Sequence, residues 1–187
     1  MKDLSLHILD LAQNSITAGA ALVKITVHED PASDILSIAI EDDGQGMDKE
    51  LQEKVKDPFT TTRDTRRVGL GIPLMAAACS RCGGELKIES EKGIGTKIIG
   101  TFKYSHIDRA PIGNISDTVV SLILAGADPK ASVDFIYKHI ISKSEFSIDT
   151  REIKKILGED VSLGEPEVLS WIKDYIDEGL ANLRGGV

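Results

Sequence analysis

The sequence predicts an α+β protein. A two-layer α/β sandwich is expected over residues 1–104, a linker over 105–114 and a small α+β unit over 115–187. Three observations carry this. Apolar residues recur at helical spacing over 2–18, as Leu4, Ile8, Leu11, Ala12 and Ile16. Two strand-like runs follow, with Val23, Ile25 and Val27 alternating against Leu22, Lys24 and Thr26, and then Ile35, Leu36, Ile38 and Ile40. After Pro111 and Gly113 punctuate the chain, helical and alternating patterns start again.

The first helix is expected to stop at Gly19. Its Asp10 and Asn14 are four residues apart and share a face. By spacing alone that face is either solvated or a place where an amide oxygen and a carboxylate handle a hard cation and a water. His7, one turn earlier, is assigned no role. Asp30-Pro31-Ala32-Ser33-Asp34 turns the chain between the two strands. The second strand runs into Glu41-Asp42-Asp43-Gly44-Gln45-Gly46-Met47. A carboxylate at a strand mouth accepts hydrogen bonds without donating, which suits an exocyclic amine. The adjacent glycines allow positive φ and close approach of a flat ligand. The same Asp-Gly pattern is also an ordinary hairpin turn.

A short helix is expected over 48–56, with Asp48 near its N-cap. Residues 57–67 have no apolar periodicity beyond Phe59 and hold four threonines and three arginines. Gly69-Leu70-Gly71 then opens a helix through Ser80, with Pro73 in its tolerant first turn. Basic loop, glycines and helix start together make an anion site. The alternative is a polar surface loop. Cys79 and Cys82, spaced C-x-x-C before Gly83-Gly84, are read as small packing residues, with a redox pair or half a zinc site as the alternative. Residues 84–90 and 95–102 are two strands around a glycine turn.

In the last segment, 115–125 is a helix stopped by Gly126. Val133 to Lys138 and Glu145 to Asp149 form a hairpin turning near Ser142-Lys143-Ser144. Residues 150–157 make a short helix ending at Gly158. The final helix, 166–183, starts at Pro166 and carries the stripe Val168, Ile172, Tyr175, Ile176, Leu180 and Leu183, with Trp171 at its edge. Residues 107–187 hold 9 basic and 14 acidic side chains and no evident nucleophile or repeat, which points to recognition of a protein partner.

Hydrophobic content of 41% and charged content of 28% are those of an ordinary globular protein. No apolar run approaches the ~20 residues of a membrane span, and Met1-Lys2-Asp3-Leu4 lacks a signal peptide's apolar core, so a cytoplasmic protein is expected. A net charge of −8 argues against a general nucleic-acid or membrane surface.

Four motifs occur in order: Asp10 to Ala20; Glu41 to Met47; Asp57-Pro58-Phe59-Thr60-Thr61-Thr62-Arg63 leading to Val68-Gly69-Leu70-Gly71; and Gly93-Ile94-Gly95-Thr96. Together they resemble the GHKL family of ATP-binding domains, which includes DNA gyrase, the MutL repair proteins, a heat-shock chaperone and the histidine kinases. The resemblance covers roughly residues 4–103. It implies a Bergerat-type fold, with helices on one face of a mixed sheet, and it implies ATP and Mg²⁺ as cofactors. It implies that Asp42 reads adenine beside Gly44, Gly46 and Met47, with Thr96 sharing that task. It implies Asn14 as the metal ligand and Asp10 as the group that activates water. Gyrase and MutL carry a glutamate at that last position, one methylene longer. Phe59, Thr61, Thr62 and Arg63 fall on the family's ATP lid, and Gly69, Leu70 and Gly71 on its phosphate-binding glycines. Arg67 stands where the family usually has a further glycine.

The resulting expectation is a nucleotide-dependent regulatory or sensor module with slow ATP hydrolysis. A second reading is a protein kinase acting on a separate protein, since the chain begins at the asparagine helix without upstream dimerisation helices. A third is a non-catalytic, nucleotide-gated partner of a redox enzyme. It rests on the last segment's resemblance to tails of short ATP-binding proteins encoded beside hydrogenase-type enzymes.

Overall fold

The computed structural model describes residues 2–56, 70–128, 131–158 and 161–185. The elements run α1 (Leu4–Thr17), β1 (Leu22–Asp30), β2 (Ile35–Asp42), α2 (Lys49–Lys56), α3 (Gly71–Arg81), β3 (Leu86–Glu91), β4 (Gly95–Lys103), α4 (Ile115–Gly126), β5 (Asp134–Ile141), β6 (Ser144–Asp149), α5 (Thr150–Leu157) and α6 (Pro166–Gly185). All lie close to the bounds read from periodicity.

The six strands form one mixed sheet in the order β3-β4-β2-β1-β5-β6. Every pairing is antiparallel except β1 with β5, where Val23 registers with Phe135 and Val27 with His139. Helices α4, α5 and α6 and strands β5 and β6 fall in the stretch read as a small α+β unit over 115–187. Its two strands extend the first sheet rather than make one of their own.

Period-two alternation fixes which face is buried. Val23, Ile25, Val27, Leu36, Ile38, Ile40, Phe102, Phe135 and Tyr137 point to one side and are each at most 2% exposed. Helices α3, α1, α4 and α6 lie side by side over that face, each packed on its neighbour. Their apolar stripes (Leu4, Ile8 and Leu11; Met75 and Cys79; Leu122 and Ile123; Ile172 and Ile176) close a single core. Burying one such side chain is worth about 1.5–3 kcal/mol, so this shared core ties the two parts of the sequence together. On the opposite face Glu41 is bracketed by Lys24 and Lys97 in cross-strand ion pairs of 3.1 and 3.4 Å. Among the described residues no helix is long and apolar enough to cross a membrane.

Each helix start has four N–H groups to satisfy, and the solutions differ. The first N–H groups of α1 donate to the carbonyls of Pro111 (2.9 Å) and Ile112 (2.7 Å). In α2 the Leu51 N–H donates to Asp48 Oδ1, 2.9 Å. Asn114 caps α4 by accepting from the Asp117 N–H, 3.0 Å, and Asp149 caps α5 by accepting from the Arg151 N–H, 2.9 Å. Helix α3 has no side-chain cap at Leu70.

Candidate functional site

The site is built around the last turns of α1. Ser15 is 4% exposed on the helix's buried stripe, and its hydroxyl donates to Asp42 Oδ2 at 2.5 Å. The Gly44 N–H donates to the other carboxylate oxygen at 3.0 Å. Asp42 is thus held at the mouth of β2 with one protein donor on each oxygen. A carboxylate has about four acceptor positions, so capacity remains for a ligand.

The following turn is clamped on both sides. The Gln45 N–H donates to the Ala18 carbonyl, 3.0 Å, and the Gln45 carbonyl accepts from the Gly93 N–H, 2.8 Å. Gly46 has φ of 62°, and a Cβ there would lie 2.0 Å from the Glu91 carbonyl oxygen, so no other residue fits. The Met47 N–H donates to Ser90 Oγ, 2.8 Å, and the Met47 side chain packs against the core. Thr96 registers directly opposite Asp42 on β4, and its hydroxyl is 2.9 Å from that of Ser90. A cavity of about 600 Å³ opens at these strand ends, lined by Asp42, Ser90 and Thr96 and also by Lys24, Glu41 and Lys97 of the opposite sheet face, so it lies on the outer side of the strand mouth and not over α1.

The other half of the site lies where α1 meets α3. A Cβ added at Gly71 would sit 3.2 Å from the Asp10 Cβ and 3.7 Å from Asn14 Nδ2. The start of α3 therefore lies against both side chains that share the α1 face. Asp10 and Asn14 are half-buried, and neither side chain makes a hydrogen bond to another described residue. Leu70, at the helix boundary, is 63% exposed. An uncapped helix N-terminus carries partial positive charge and unused N–H donors, so it favours an anion. Asn14 Oδ1 and the Asp10 carboxylate are the hard oxygens a Mg²⁺ ion accepts, and the gap over Gly71 is one a side chain would fill. The donor set therefore fits that metal.

Asp10, Asn14, Asp42, Gly44, Gly46, Met47, Leu70, Gly71 and Thr96 are thus described, around α1 and the β2 and β4 strand ends. Phe59, Thr61, Thr62, Arg63, Arg67 and Gly69 lie outside the described residues. Three contributors were missed in the sequence. Ser15 had only a weak signal, since it shares the buried stripe of α1 with Ser5 and His7 and its neighbour Ile16 fits the apolar spacing better. Ser90 and Gln52 had none. Gln52 Nε2 donates to the carbonyls of Met47 (3.1 Å) and Ser90 (2.7 Å), and such contacts leave no pattern in a sequence.

Cys79 and Cys82 are both buried, and burial pushes the Cys79 thiol up to about 12. Neutral thiols in a core act as small apolar residues. His7 is 4% exposed, and burial lowers its pKa below 6.5, which favours the neutral ring.

An acceptor at a strand mouth, a glycine-bound turn, and an uncapped helix start beside unpartnered oxygens define a nucleotide-binding α+β sandwich. The family described as histidine kinase-, DNA gyrase B- and HSP90-like ATPases matches residues 2–106, more than half of the chain. The chain belongs to that family. It is 39% identical over 74 residues to an anti-sigma F factor of Clostridium acetobutylicum, covering 39% of this chain and 48% of that protein. It is 36% identical over 78 residues to the osmosensing histidine protein kinase SLN1 of Saccharomyces cerevisiae, covering 39% of this chain and 6% of that one. To sporulation kinase C of Bacillus subtilis it is 31% identical over 88 residues, covering 47% and 20%. The matches thus span less than half the length of these relatives. A crystal structure of the N-terminal domain of a DNA repair protein shares the fold, with TM-score 0.53 at 15% identity, covering 85% of this chain and 58% of that chain.

Proposed function

We propose that the protein is a Mg-ATP-binding regulatory module with slow ATP hydrolysis. The observation that carries this reading is the position of α1 between two half-sites. Ser15 holds Asp42 at the strand mouth, while Asp10 and Asn14, on the same helix, lie against Gly71 at the uncapped start of α3. Asp42 and Thr96 would take the adenine edge, with Gly44, Gly46 and Met47 forming the bed beneath it. Leu70 and Gly71 would present backbone N–H groups to phosphate oxygens. Asn14 would hold Mg²⁺, which neutralises phosphate charge when bound. Asp10 would orient a water for attack on the terminal phosphate. Residues 107–187 would recognise a protein partner.

A second reading is a kinase that phosphorylates a separate protein. It is favoured by the similarity to histidine kinases and to an anti-sigma F factor. Incubation with γ-labelled ATP, alone and with candidate partners, separates the readings. Released phosphate supports hydrolysis, and labelled partner supports the kinase. Neither product, with ATP still bound, leaves a nucleotide-gated binding protein. Calorimetry on Asn14→Ala tests the metal assignment. The Mg²⁺-dependent gain in ATP affinity should vanish while adenosine binding without metal persists. Equal loss of both would make Asn14 structural.

A further inference from the structure

We propose that the outer edge of β6 and the adjoining face of α6 form a docking groove for a basic, extended segment of another protein. The inference deepens the partner-binding reading of residues 107–187, and it does not depend on nucleotide binding.

The sheet has two edges, and they are treated differently. At β3 the Ser90 carbonyl is taken by Gln52 Nε2, and Lys87 carries a charge on the strand. Strand β6 pairs with β5 along its whole length, from Ser144 to Asp149. Among the described residues no backbone hydrogen bond reaches its other edge. It contains no proline or lysine, the usual guards of an exposed edge. A bare edge of six residues offers backbone donors and acceptors over about 20 Å, enough for a short added strand.

Beside that edge lies a groove of about 490 Å³, lined by Ser144, Glu145 and Phe146 of β6 and by Tyr175, Glu178 and Asn182 of α6. Its depth has a cause. Gly179 lets the Phe146 ring sit directly under α6, since a Cβ there would lie 2.1 Å from the ring. Tyr175 then leans on Phe146, with centroids 5.5 Å apart, and Trp171 stacks on Tyr175 at 5.4 Å and 12°. Trp171 and Tyr175 remain 52% and 43% exposed. Three aromatic rings thus run from the strand edge along the helix, two of them half open to solvent.

The charge around them selects the ligand. Glu178 lines the groove, and Asp174 and Asp177 lie on the same helix. Lys173 is engaged with Asp117, and Lys138 with Glu145, which leaves Glu178 as the groove carboxylate with no ion pair among the described residues and Lys143 at the hairpin turn as the cation nearest one end of the groove. Aromatic faces bordered by carboxylates attract arginine or lysine, through the ring quadrupole and through charge. An acidic face repels a second copy of itself and repels nucleic acid. A strand added to β6 turns alternate side chains towards α6, so a segment with a cation at every second position fits both features.

Trp171 is the single tryptophan of the chain, so its emission reports on the groove directly. The full-length protein is titrated with a synthetic peptide of alternating arginine and valine, and calorimetry gives a second readout. A saturable change in Trp171 emission is expected, weakened by salt and by N-methylation of the peptide backbone. Tyr175→Ala and Glu178→Lys, both at exposed positions, should each weaken binding about tenfold while ATP affinity stays unchanged. That last measurement keeps this test separate from the nucleotide reading. The proposal is overturned if a glutamate–valine peptide binds equally well, if neither variant weakens binding, or if no saturable binding occurs. It is overturned as well if Tyr175→Ala converts a homodimer to monomer in sedimentation, because the occupant is then a second copy.

Discussion

The two sides of the sheet's centre handle polar groups in opposite ways. At the β1–β5 junction the buried ones are matched to one another. Glu29 Oε1 is 2.7 Å from His139 Nε2, and His139 Nδ1 is 2.6 Å from the Tyr137 hydroxyl. Thr150 Oγ1 accepts from the Phe135 N–H and donates to Asp134, at 2.9 and 2.7 Å. At the α1–α3 contact, Asp10 and Asn14 are left without described hydrogen-bond partners beside a helix start that no described side chain caps. Matched buried groups specify a structure and are closed to ligands. Unmatched ones forgo a few tenths to about 1 kcal/mol of stability each and stay available for binding. Substitutions at the α1–α3 side should therefore change ligand chemistry and spare stability, and those at the far side should do the reverse.

The largest expected effect is on catalysis. Asp10→Asn should lower ATP turnover by about 10²–10⁴ with ATP affinity and melting temperature unchanged, as read by single-turnover phosphate release. A turnover indifferent to this change would return Asp10 to the solvated face. Next is Asp42→Asn, which presents a donor where adenine N6 needs an acceptor and should cost roughly 2–4 kcal/mol of ATP binding by calorimetry. The fold should survive, because the Ser15 hydroxyl can rotate to accept from the new amide while Gly44 still donates to the remaining oxygen. A large drop in melting temperature with binding intact would erase the contrast.

On the far side, Gly179→Ala drives a methyl group into the Phe146 ring and should cost about 1–3 kcal/mol of stability, leaving ATP affinity untouched. A thermal melt and a nucleotide titration on one preparation check both halves. The smallest effect is on pH dependence. Burial opposes ionisation of Glu29, but the hydrogen bond and charge of His139 outweigh it and hold the carboxyl below its usual 4.5. A depressed folded pKa means that the folded state favours the ionised form. That contribution is present above about pH 4.5 and fades as the pH falls through the lower folded value. Wild type should lose stability in that window more steeply than Glu29→Gln, and parallel acid titrations would remove the pair from the account.

What could be read in advance follows from range. Helices and strands are written in local periodicity, and the cap residue Asp48 is written in side-chain chemistry. Asp42, Asn14 and Gly71 were singled out through the resemblance of four ordered motifs, because an Asp-Gly turn or a polar pair one helical turn apart is ordinary when taken alone. The partner of a strand is not local information. Nothing in residues 134–141 says that they pair with β1 rather than with a sheet of their own. The stretch 105–114 reads as a linker from Pro111 and Gly113, yet it supplies the carbonyls that cap α1 and it buries Ile112. Backbone acceptors have no residue signature. Ser15 was passed over because Ile16 matched the apolar spacing better, while the structure turns Ser15 inward and leaves Ile16 half-buried.

The parallel pairing of β1 with β5 also sets a schedule for synthesis. Leu22 pairs with Asp134, so β1 leaves the ribosome long before the strand that completes it. At typical elongation rates the interval is about 6–20 s. Until then the nascent chain holds β1 with one side paired to β2 and the other bare, and the buried face of β1 lacks the cover of α4. A translation pause between the codons for β4 and β5 lengthens that exposure, and a faster passage shortens it. Codon choice over residues 104–134 therefore sets how long that side of β1 waits for its partner.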